Sequence, residues 1–441
     1  MRKRLRSYFW FLKGLLSRHG QAVVISSLVC AVVAFVLVQF WPRVATVVPK
    51  KPTIIGLVGS YTPTTMPNSS QHLVSTGLTD ILETGEVVPA LTTSWDISAD
   101  GKEYVFHLRP AFFWHDGKNF TANDINYNLK DVEFIPLSAS DLKVKLKEPF
   151  SPPPSFLAKP LFRKGLVGLG SYKIAALELK GENVTYLKLT PQATDLPLIE
   201  FRFYPSESQA KTAFKLGEVT MLDEITDPAP FLEWKNVSVH ETTRTDRYVG
   251  IFFNLNRPLL AAREMRQALA FALEKPEKNR IATPISSKSW AYTSRVKQYE
   301  QDVVQAKKLI SQSATSAAEL TLSTYTPYLS LAQTIAASWE AIGVHTQIKV
   351  ESGVPQDFDA LLVTQEIPTD PDQYSLWHST QSQTNISHYT SAKIDKLLED
   401  GRKEADLEKR KSIYFDFQRY LVEDAPAIFL FHPTTYTISR K

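Results

Sequence analysis

The chain has 441 residues, more than one compact hydrophobic core ordinarily holds, and its length therefore predicts at least two lobes. Its 43% apolar and 22% charged residues are typical of a globular protein, and a net charge of +4 is too small to predict a nucleic-acid partner. The single cysteine, Cys30, excludes an intramolecular disulfide and a cysteine-based metal cage.

The amino-terminal segment predicts a membrane anchor. Lysine and arginine are frequent in residues 1–20, and residues 22–41 (AVVISSLVCAVVAFVLVQFW) carry no charge over the ~20 residues that a transmembrane helix needs. More cations precede this run than follow it, which predicts a cytoplasmic amino terminus. The apolar core is longer than that of a signal peptide and no A-x-A motif follows it, so we expect a retained anchor rather than a cleaved segment.

These features divide the beginning of the chain into a cytoplasmic basic segment at 1–20, a transmembrane helix at 21–41 and a linker at 42–52. The remainder is expected outside the cytoplasm, in the periplasm or at the cell surface, on a protein held in the cell membrane by a single span. Because this exported part is close to electrically neutral, it requires no polyanionic partner.

The exported part mixes strand and helix patterns without a regular strand–helix–strand repeat. Alternating or short apolar runs predict strands at Thr53–Val58, 104–108, 141–147, Ile199–Tyr204 and Ala427–Phe431. Apolar residues at helical spacing predict helices over about 261–274, in the segment before Gly343, and over about 394–421 with a break near Gly401.

The last predicted strand is expected to return to the sheet in which the exported part begins. This interpretation places lobe I at 53–247, completed by 427–441, and lobe II at 248–426. More than one connection would then join the lobes, which is the architecture of a hinge.

No catalytic residue set is recognisable in the sequence. His115 and Asp116 are adjacent within a Trp-His-Asp-Gly turn, and neighbours on an extended chain do not face one substrate. The histidines include no H-E-x-x-H spacing, and the sequence contains neither a G-x-S-x-G motif nor a phosphate-binding glycine loop. We therefore expect a protein that is not an enzyme and that carries no metal or other cofactor.

Residues 87–129 (VVPALTTSWDISADGKEYVFHLRPAFFWHDGKNFTANDINYNL) hold an unusually dense series of turns and short elements. A Pro-Ala-Leu run leads to a Trp, an Asp-Gly-Lys turn, a Phe-x-Leu-Arg strand, a His-Asp-Gly turn and a helix opening with Thr-Ala-x-Asp. This succession resembles the signature region of the family 5 extracellular solute-binding proteins, the peptide- and nickel-type receptors of ABC importers. The resemblance continues through residues 252–275, 357–374 and 385–432.

The sequence departs from the pattern of this family at two places. Residues 127–129 are followed almost at once by the strand predicted at 141–147, where family members usually carry a sizeable insertion that forms a third subdomain. The segment GLGSYKI has Ser171 where the family has a proline. We therefore expect a shortened form of the family.

The resemblance implies an α/β fold of the type II periplasmic-binding-protein kind, with two lobes that close over a solute by a hinge motion. It implies capture of a peptide through main-chain hydrogen bonds and delivery to an ABC permease by a monomeric receptor. The anchor would raise the concentration of the receptor near its transporter. The alternatives are a receptor of the same fold for a metal chelate or an oligosaccharide, and an anchored sensor or chaperone.

Residues 365–377 (QEIPTDPDQYSLW) are the predicted ligand-binding segment, because a turn rich in proline and aspartate at a strand end is expected at the rim of a lobe. Carboxylates in it are candidates to pair with an amino group and its rings to cover apolar parts of a solute. An asparagine on the hinge-side strand is a further candidate. The candidates are Glu366, Asp370, Asp372, Tyr374, Trp377 and Asn254. The alternative is that Asp370 and Asp372 form only a local Asx turn.

The resemblance also predicts an unusual preference at the amino end of the ligand. In the peptide-binding members an aspartate a few residues before the Asp-Pro-Asp turn pairs with the free α-amine, and Ile367 stands at that position here. An isoleucine leaves a buried ammonium without a partner, at a cost of several kcal/mol. Glu366 is adjacent but is expected to face the other side of the strand. We therefore expect that a free amino terminus is not required.

Overall fold

The computed structural model describes residues 52–150, 153–312, 318–353, 355 and 357–441, together with residues 20, 21, 25–35 and 39 of the amino-terminal segment. Residues 25–35 are helical. Over the described part of the chain, no helix is both long enough and apolar enough to cross a bilayer. The remaining residues of the predicted anchor at 21–41, the basic residues 1–19 and the linker up to residue 51 lie outside the described residues.

Strands and helices alternate irregularly along the rest of the chain. The strands are β1 (Thr53–Val58), β2 (Thr79–Ile81), β3 (Val87–Pro89), β4 (Thr92–Ile97), β5 (Glu103–Leu108), β6 (Val132–Pro136), β7 (Asp141–Leu146), β8 (Tyr172–Lys180), β9 (Asn183–Pro191), β10 (Ile199–Tyr204), β11 (Met221–Ile225), β12 (Val237–Thr243), β13 (Arg247–Phe253), β14 (Ala318–Thr324), β15 (Val344–Val350), β16 (Ala360–Glu366), β17 (Ala427–Phe431) and β18 (Thr434–Arg440). The α-helices are α1 (Asn68–Val74), α2 (Pro153–Phe156), α3 (Glu207–Leu216), α4 (Pro258–Ala261), α5 (Arg263–Phe271), α6 (Val303–Gln312), α7 (Leu329–Glu340), α8 (Tyr374–Trp377), α9 (Ala392–Lys403) and α10 (Leu407–Asp424).

Lobe I is built on a sheet with the order β12-β18-β11-β1-β10-β9-β8. Its strand β1 pairs in parallel with β10 and with β11. Leu57 packs into the core on one face of the sheet, whereas Ile54 and Val58 pack against the core on the other. Burial on both faces explains why this strand is a continuous apolar run rather than an alternating one.

A small subdomain of lobe I follows α1. It contains the β2–β3 hairpin and an antiparallel sheet with the order β4-β5-β7-β6, which has a hydrophobic core of its own. In β5, Tyr104, Phe106 and Leu108 are buried while their neighbours are not, as the alternating sequence predicts. The sequence interpretation missed β6. It also expected a helix at Thr121, where the structure has a single 3-10 turn, Ala122–Asp124, closed by a capping box.

The turn with His115 connects this subdomain to the segment before β8. The backbone N–H of His115 donates to the carbonyl of Gly168 at 3.0 Å, and its Nε2 lies 3.0 Å from the carbonyl of Gly170. A Cβ atom on Gly168 would lie 2.1 Å from the carbonyl oxygen of Val74, so only glycine fits this approach. His115 thus has a structural role, as expected.

Lobe II is built on a sheet with the order β15-β14-β16-β13-β17. Helices cover it on both faces: Trp339 of α7 lies near Phe253 of β13, with ring centroids 6.3 Å apart, and donates from Nε1 to the carbonyl of Leu269 at 3.0 Å. The predicted helix at 261–274 is α5, which begins at Arg263; the short helix α4 precedes it, and the two are separated by Ala262 in extended conformation. The break expected near Gly401 lies at residues 404–406, between α9 and α10.

The chain crosses between the lobes twice in the described part, from β12 to β13 and from β17 back to β18. The expectation that Ala427–Phe431 completes lobe I is wrong, because this strand, β17, pairs with β13 in the sheet of lobe II. The strand that returns to lobe I is β18. The burial explains the difference: four residues of β17 are buried, as suits the lobe II core, whereas β18 is buried at only two positions.

Candidate functional site between the two lobes

Two neighbouring cavities lie between the lobes. The first, of about 390 Å³, is lined by the hinge residues 242–246, by Ile81–Glu83 next to β2, and by lobe II residues at 286–289 and 367–369. The second, of about 410 Å³, is lined by residues 64–72, by Asp80 and Ile81, by residues 155–160 and by Thr369. Each volume is within the roughly 300–1,000 Å³ of small-molecule sites. Ile81 and Thr369 line both cavities.

Four charged side chains form a cluster where the first crossing enters lobe II. Arg244 Nη2 lies 2.6 Å and Arg247 Nη2 3.0 Å from Asp246 Oδ2, and both arginines also pair with Glu224 of lobe I. Burial favours a raised pKa for Asp246, but its hydrogen bonds with Arg244 and then Arg247 outweigh burial and lower its pKa to about 2. The two arginines and two carboxylates therefore neutralise one another beside the first cavity.

Tyr61 of lobe I faces this hinge cluster. Burial and then the charge of Glu224 raise the pKa of its hydroxyl, with a smaller contribution from Glu366. Glu366 ends β16 opposite Arg247 of β13, and its side chain is exposed. Of the predicted ligand-binding carboxylates, Glu366 is therefore the one that the structure places beside the hinge with access to solvent.

Asp370 lies at the contact between the lobes. Its side chain is 12% exposed and forms two hydrogen bonds with Arg410, Nη2 to Oδ1 at 2.7 Å and Nη1 to Oδ2 at 3.1 Å. Ser155 of lobe I donates to Oδ2 at 2.8 Å. Burial tends to lower the pKa of Arg410, but the charge of Asp370 prevails and raises it. The carboxylate of Asp370 is thus fully engaged by the protein itself.

Asp372 and Tyr374, which follow Asp370 in the chain, both contact Arg402 of α9. Asp372 is 8% exposed and accepts hydrogen bonds from the Nε atom of Arg402 at 2.8 Å and from the backbone N–H of Tyr374 at 3.0 Å. The guanidinium of Arg402 lies 3.8 Å from the ring centroid of Tyr374 and 5.5 Å from that of Phe150 in lobe I. Tyr374 lines a separate groove with Phe150 and Arg402.

Trp377 and Asn254 lie inside lobe II and do not line either cavity. Trp377 is 1% exposed and stacks on Phe252, with ring centroids 5.9 Å apart. Asn254 is 7% exposed, donates from Nδ2 to the carbonyl of Phe358 at 3.0 Å and accepts from the backbone N–H of Asn256 at 3.1 Å. These two residues stabilise lobe II rather than face the cleft.

The part of the predicted segment that reaches the first cavity is 367–369, which carries no charge. Ile367 is 8% exposed, and its backbone N–H donates to the carbonyl of Asp246 at 2.7 Å. This hydrogen bond holds the uncharged wall against the hinge segment. No pattern in the sequence predicted that the hairpin residues 81–83 and the loop 286–289 line this cavity. The run Arg-Thr-Asp-Arg at 244–247, between two strand patterns, was a usable signal for the hinge cluster.

Residues that hold a metal ion usually form groups of three or more histidine, cysteine or carboxylate side chains. Among the residues that the structure describes there is no such group.

Comparison with known proteins identifies the family. The model described as "Bacterial extracellular solute-binding proteins, family 5 Middle" matches residues 86–135 and 133–387. The chain belongs to this family. The family resemblance seen in the sequence is therefore confirmed, and the family is one of binding proteins rather than enzymes.

Two relatives in family 5 are named for peptides. The oligopeptide-binding protein AppA of Bacillus subtilis is 24% identical over 321 residues, which are 62% of this chain and 58% of that protein, less than two thirds of its length. The dipeptide-binding protein of Escherichia coli is 22% identical over 448 residues, covering 81% of this chain and 83% of the relative.

Solved structures of the same fold include NikZ of Campylobacter jejuni in complex with Ni(L-His), with a TM-score of 0.76 and 23% identity over 89% of this chain and 95% of that one. AppA of Bacillus subtilis in complex with a nonapeptide has a TM-score of 0.70 and 19% identity, over the same shares of the two chains. These likenesses confirm the two-lobed α/β fold of type II periplasmic binding proteins that the sequence predicts.

Replacing Asp370 by asparagine should destabilise the protein strongly. The change leaves the buried guanidinium of Arg410 without its counter-charge, and breaking a buried ion pair in this way costs about 3–5 kcal/mol of unfolding free energy. Urea denaturation of the purified exported part measures the loss. The control is Asp416→Asn, because Asp416 and Arg419 are 48% and 53% exposed and such pairs contribute about 1 kcal/mol or less. Similar small losses in both variants would contradict the structural role of Asp370.

Asp246 should make the protein sensitive to acid. Its folded pKa of about 2 is below the unfolded value of about 3.9, so its stabilising contribution is complete above pH 4 and is lost as pH falls toward 2. Asp246→Asn should therefore weaken the dependence of the unfolding midpoint on pH between about 4 and 2. Asp131→Asn, at an exposed turn, should leave the dependence as it is. An unchanged slope in Asp246→Asn would show that the hinge pairs do not contribute.

Proposed function

We propose that this chain is the extracytoplasmic substrate-binding receptor of an ABC importer and that it captures peptides in the cleft between its two lobes. The observation that carries the proposal is the first cavity, which is bounded by both lobes and by the first hinge crossing, with the second cavity beside it. Rotation about the two crossings would close the lobes on a peptide and present a closed surface to the permease. The named functions of the relatives in Bacillus subtilis and Escherichia coli support a peptide as the solute.

The chemistry of the first cavity suits an uncharged, amide-rich ligand. Its charged hinge residues are paired with one another, so they offer no free charge that a ligand must balance. Hydroxyl groups, which can both donate and accept, are frequent in its wall and match the N–H and C=O groups of a peptide backbone. They belong to Thr242, Thr243, Thr245, Ser286, Ser289 and Thr369.

We assign different roles to the predicted ligand-binding residues. Glu366 is the candidate for contact with a charged group of the ligand, because its carboxylate is exposed beside the hinge. Asp370 and Asp372 fix the turn, through Arg410 and Arg402, so that the residues before it form the cavity wall. In this proposal the recognition of the peptide backbone is shared among hydroxyl and main-chain groups and does not depend on one carboxylate.

The proposed receptor is a monomer attached to the cell membrane by the apolar run at 22–41. The support is the sequence of that run and of the basic residues before it. The exported part would then work beside its permease without diffusing away.

Trialanine should bind to the purified exported part, raise its melting temperature and reduce its radius of gyration. The melting temperature rises because the ligand binds the folded state. Isothermal titration calorimetry, thermal unfolding and small-angle scattering measure the three effects. Binding without any change in the radius of gyration would contradict capture by hinge closure, and the absence of binding by any short peptide would contradict the peptide assignment.

The same titration with amino-acetylated trialanine tests the expectation about the amino terminus. Because an isoleucine stands where a partner for the α-amine is expected, acetylation should change Kd by less than roughly tenfold, or about 1.4 kcal/mol. A larger loss that disappears in Glu366→Gln would overturn the expectation and identify Glu366 as the partner of the amine. Asp357→Asn, an exposed carboxylate on Arg257 away from the cavities, is the matched control.

The full-length protein should retain its first residues and sediment with membranes. The apolar run has the length of a transmembrane helix and no cleavage motif follows it. Amino-terminal sequencing of the mature protein, with fractionation before and after an alkaline wash, checks this. A mature protein that begins after residue 41 would contradict the anchor.

A further inference from the structure

The tip of the β2–β3 hairpin reaches across the cleft and contacts lobe II. The backbone N–H of Trp290 donates to the carbonyl of Thr84 at 2.9 Å, and its Nε1–H donates to the carbonyl of Gly85 at 3.2 Å. The Nζ atom of Lys288 lies 2.6 Å from Oε2 of Glu83. Two of these contacts use the hairpin backbone, so they depend on the position of the hairpin rather than on its side chains.

Gly85 lies close against lobe II at the tip of this hairpin. It is buried with a φ of +79°, and a Cβ atom built on it would lie 2.9 Å from the carbonyl oxygen of Thr369 and 3.4 Å from the indole ring of Trp290. The distance of 2.9 Å to the oxygen of Thr369 is shorter than real Cβ contacts, and a left-handed φ itself favours glycine. The hairpin tip thus fits against lobe II only without a side chain at this position.

This contact stands between the two cavities. Ile81 of the hairpin and Thr369 of lobe II line both of them. The hinge residues lie on the side of the first cavity, whereas α1 and the segment 155–160 lie on the side of the second. Ile81 and Thr369 therefore mark the boundary at which the two cavities of the cleft adjoin.

We propose that the tip of the β2–β3 hairpin, residues 82–86, is a clasp that divides the cleft and limits the length of the peptide that the receptor accepts. This inference rests on the proposed function. The cavity on the hinge side, of about 390 Å³, is near the lower end of the volumes of small-molecule sites. Its size suits a di- or tripeptide. A longer peptide has to displace the contact at Thr369 to enter the second cavity, and each added residue beyond the clasp therefore weakens binding.

The variant Gly85→Asn tests the clasp with little change to the hairpin itself. Asparagine is among the non-glycine residues that best tolerate a positive φ, so the turn can persist while the new side chain is forced against Thr369. The matched control is Gly181→Asn in the β8–β9 hairpin, where φ is +65° and a Cβ atom would meet nothing within 4 Å. Both variants place asparagine at a positive φ, but only the first puts the new side chain against the other lobe.

Calorimetric titrations with alanine peptides of two to six residues give the length preference of each protein. Wild type and Gly181→Asn should bind the hexapeptide at least roughly tenfold more weakly than the tripeptide, and Gly85→Asn should reduce this ratio to about threefold or less. The same ratio in all three proteins would overturn the clasp, as would a wild-type protein that binds the hexapeptide as well as the tripeptide.

A second measurement separates failure of the clasp from failure of the proposed function. Spin labels at exposed positions 94 and 375, on cysteines introduced after Cys30→Ser, report the distance between the small subdomain and lobe II. This distance should increase in Gly85→Asn and stay at the wild-type value in Gly181→Asn. If no alanine peptide binds to wild type, the peptide function is contradicted. An increased distance in Gly85→Asn would still support the clasp, and an unchanged distance would contradict it.

Discussion

Arg410 lies at the junction of four segments of lobe II, and its guanidinium contacts residues that adjoin both walls of the cleft. It pairs with Asp370, donates from Nε to the carbonyl of Gly401 at 2.9 Å, and lies 5.3–5.4 Å from the rings of Tyr414 and Trp290. The turn at Asp370 places residues 367–369 against the first cavity, and Trp290 holds the hairpin of lobe I. An apolar replacement of a buried ion pair is often as stable, so what the pair contributes here is a fixed geometry.

The hinge uses charges in a different way. Its two arginines are mostly buried and its two carboxylates are about half exposed, and the four side chains pair with one another. Their mutual pairing has a consequence for the cleft, because the wall near the hinge is neutral as a whole although it is rich in ionisable groups. In the proposed receptor, hydroxyl and main-chain groups would then make the contacts that a varied set of peptides has in common.

The sequence predicted the elements whose buried residues form a continuous or alternating apolar pattern. Strands β1 and β10 have the expected bounds because each is an apolar or alternating run with clear ends. The 3-10 turn at Ala122–Asp124 has the capping residues of a helix, and the chain after it is extended toward β6 rather than helical. Capping chemistry predicts where a helix can start, but the length of the element depends on the packing that follows.

The site was harder to predict because its residues act through partners far away in the sequence. Asp370 and Asp372 have the chemistry of ligand-binding residues, but Arg410 and Arg402, which engage them, are 30–40 positions later. The residues next to this turn in the sequence give no indication of these ion pairs. The family resemblance predicted the cleft and the hinge. Only the structure shows that the acidic turn pairs with arginines of lobe II whereas the uncharged residues before it line the cavity.

The two crossings have a mechanical consequence. Thr243 and Thr434 are the last cross-strand partners of β12 and β18, and Val249 and Phe431 pair at the start of β13 and the end of β17. Between them the backbone N–H of Arg244 donates to the carbonyl of Pro433, and the Nδ1 atom of His432 contacts the carbonyl of Arg247, each at 2.8 Å. The lobes are therefore joined by one antiparallel ribbon two strands wide. A ribbon of this kind bends more easily across its face than within its plane, which favours rotation of the lobes about an axis that lies across the ribbon.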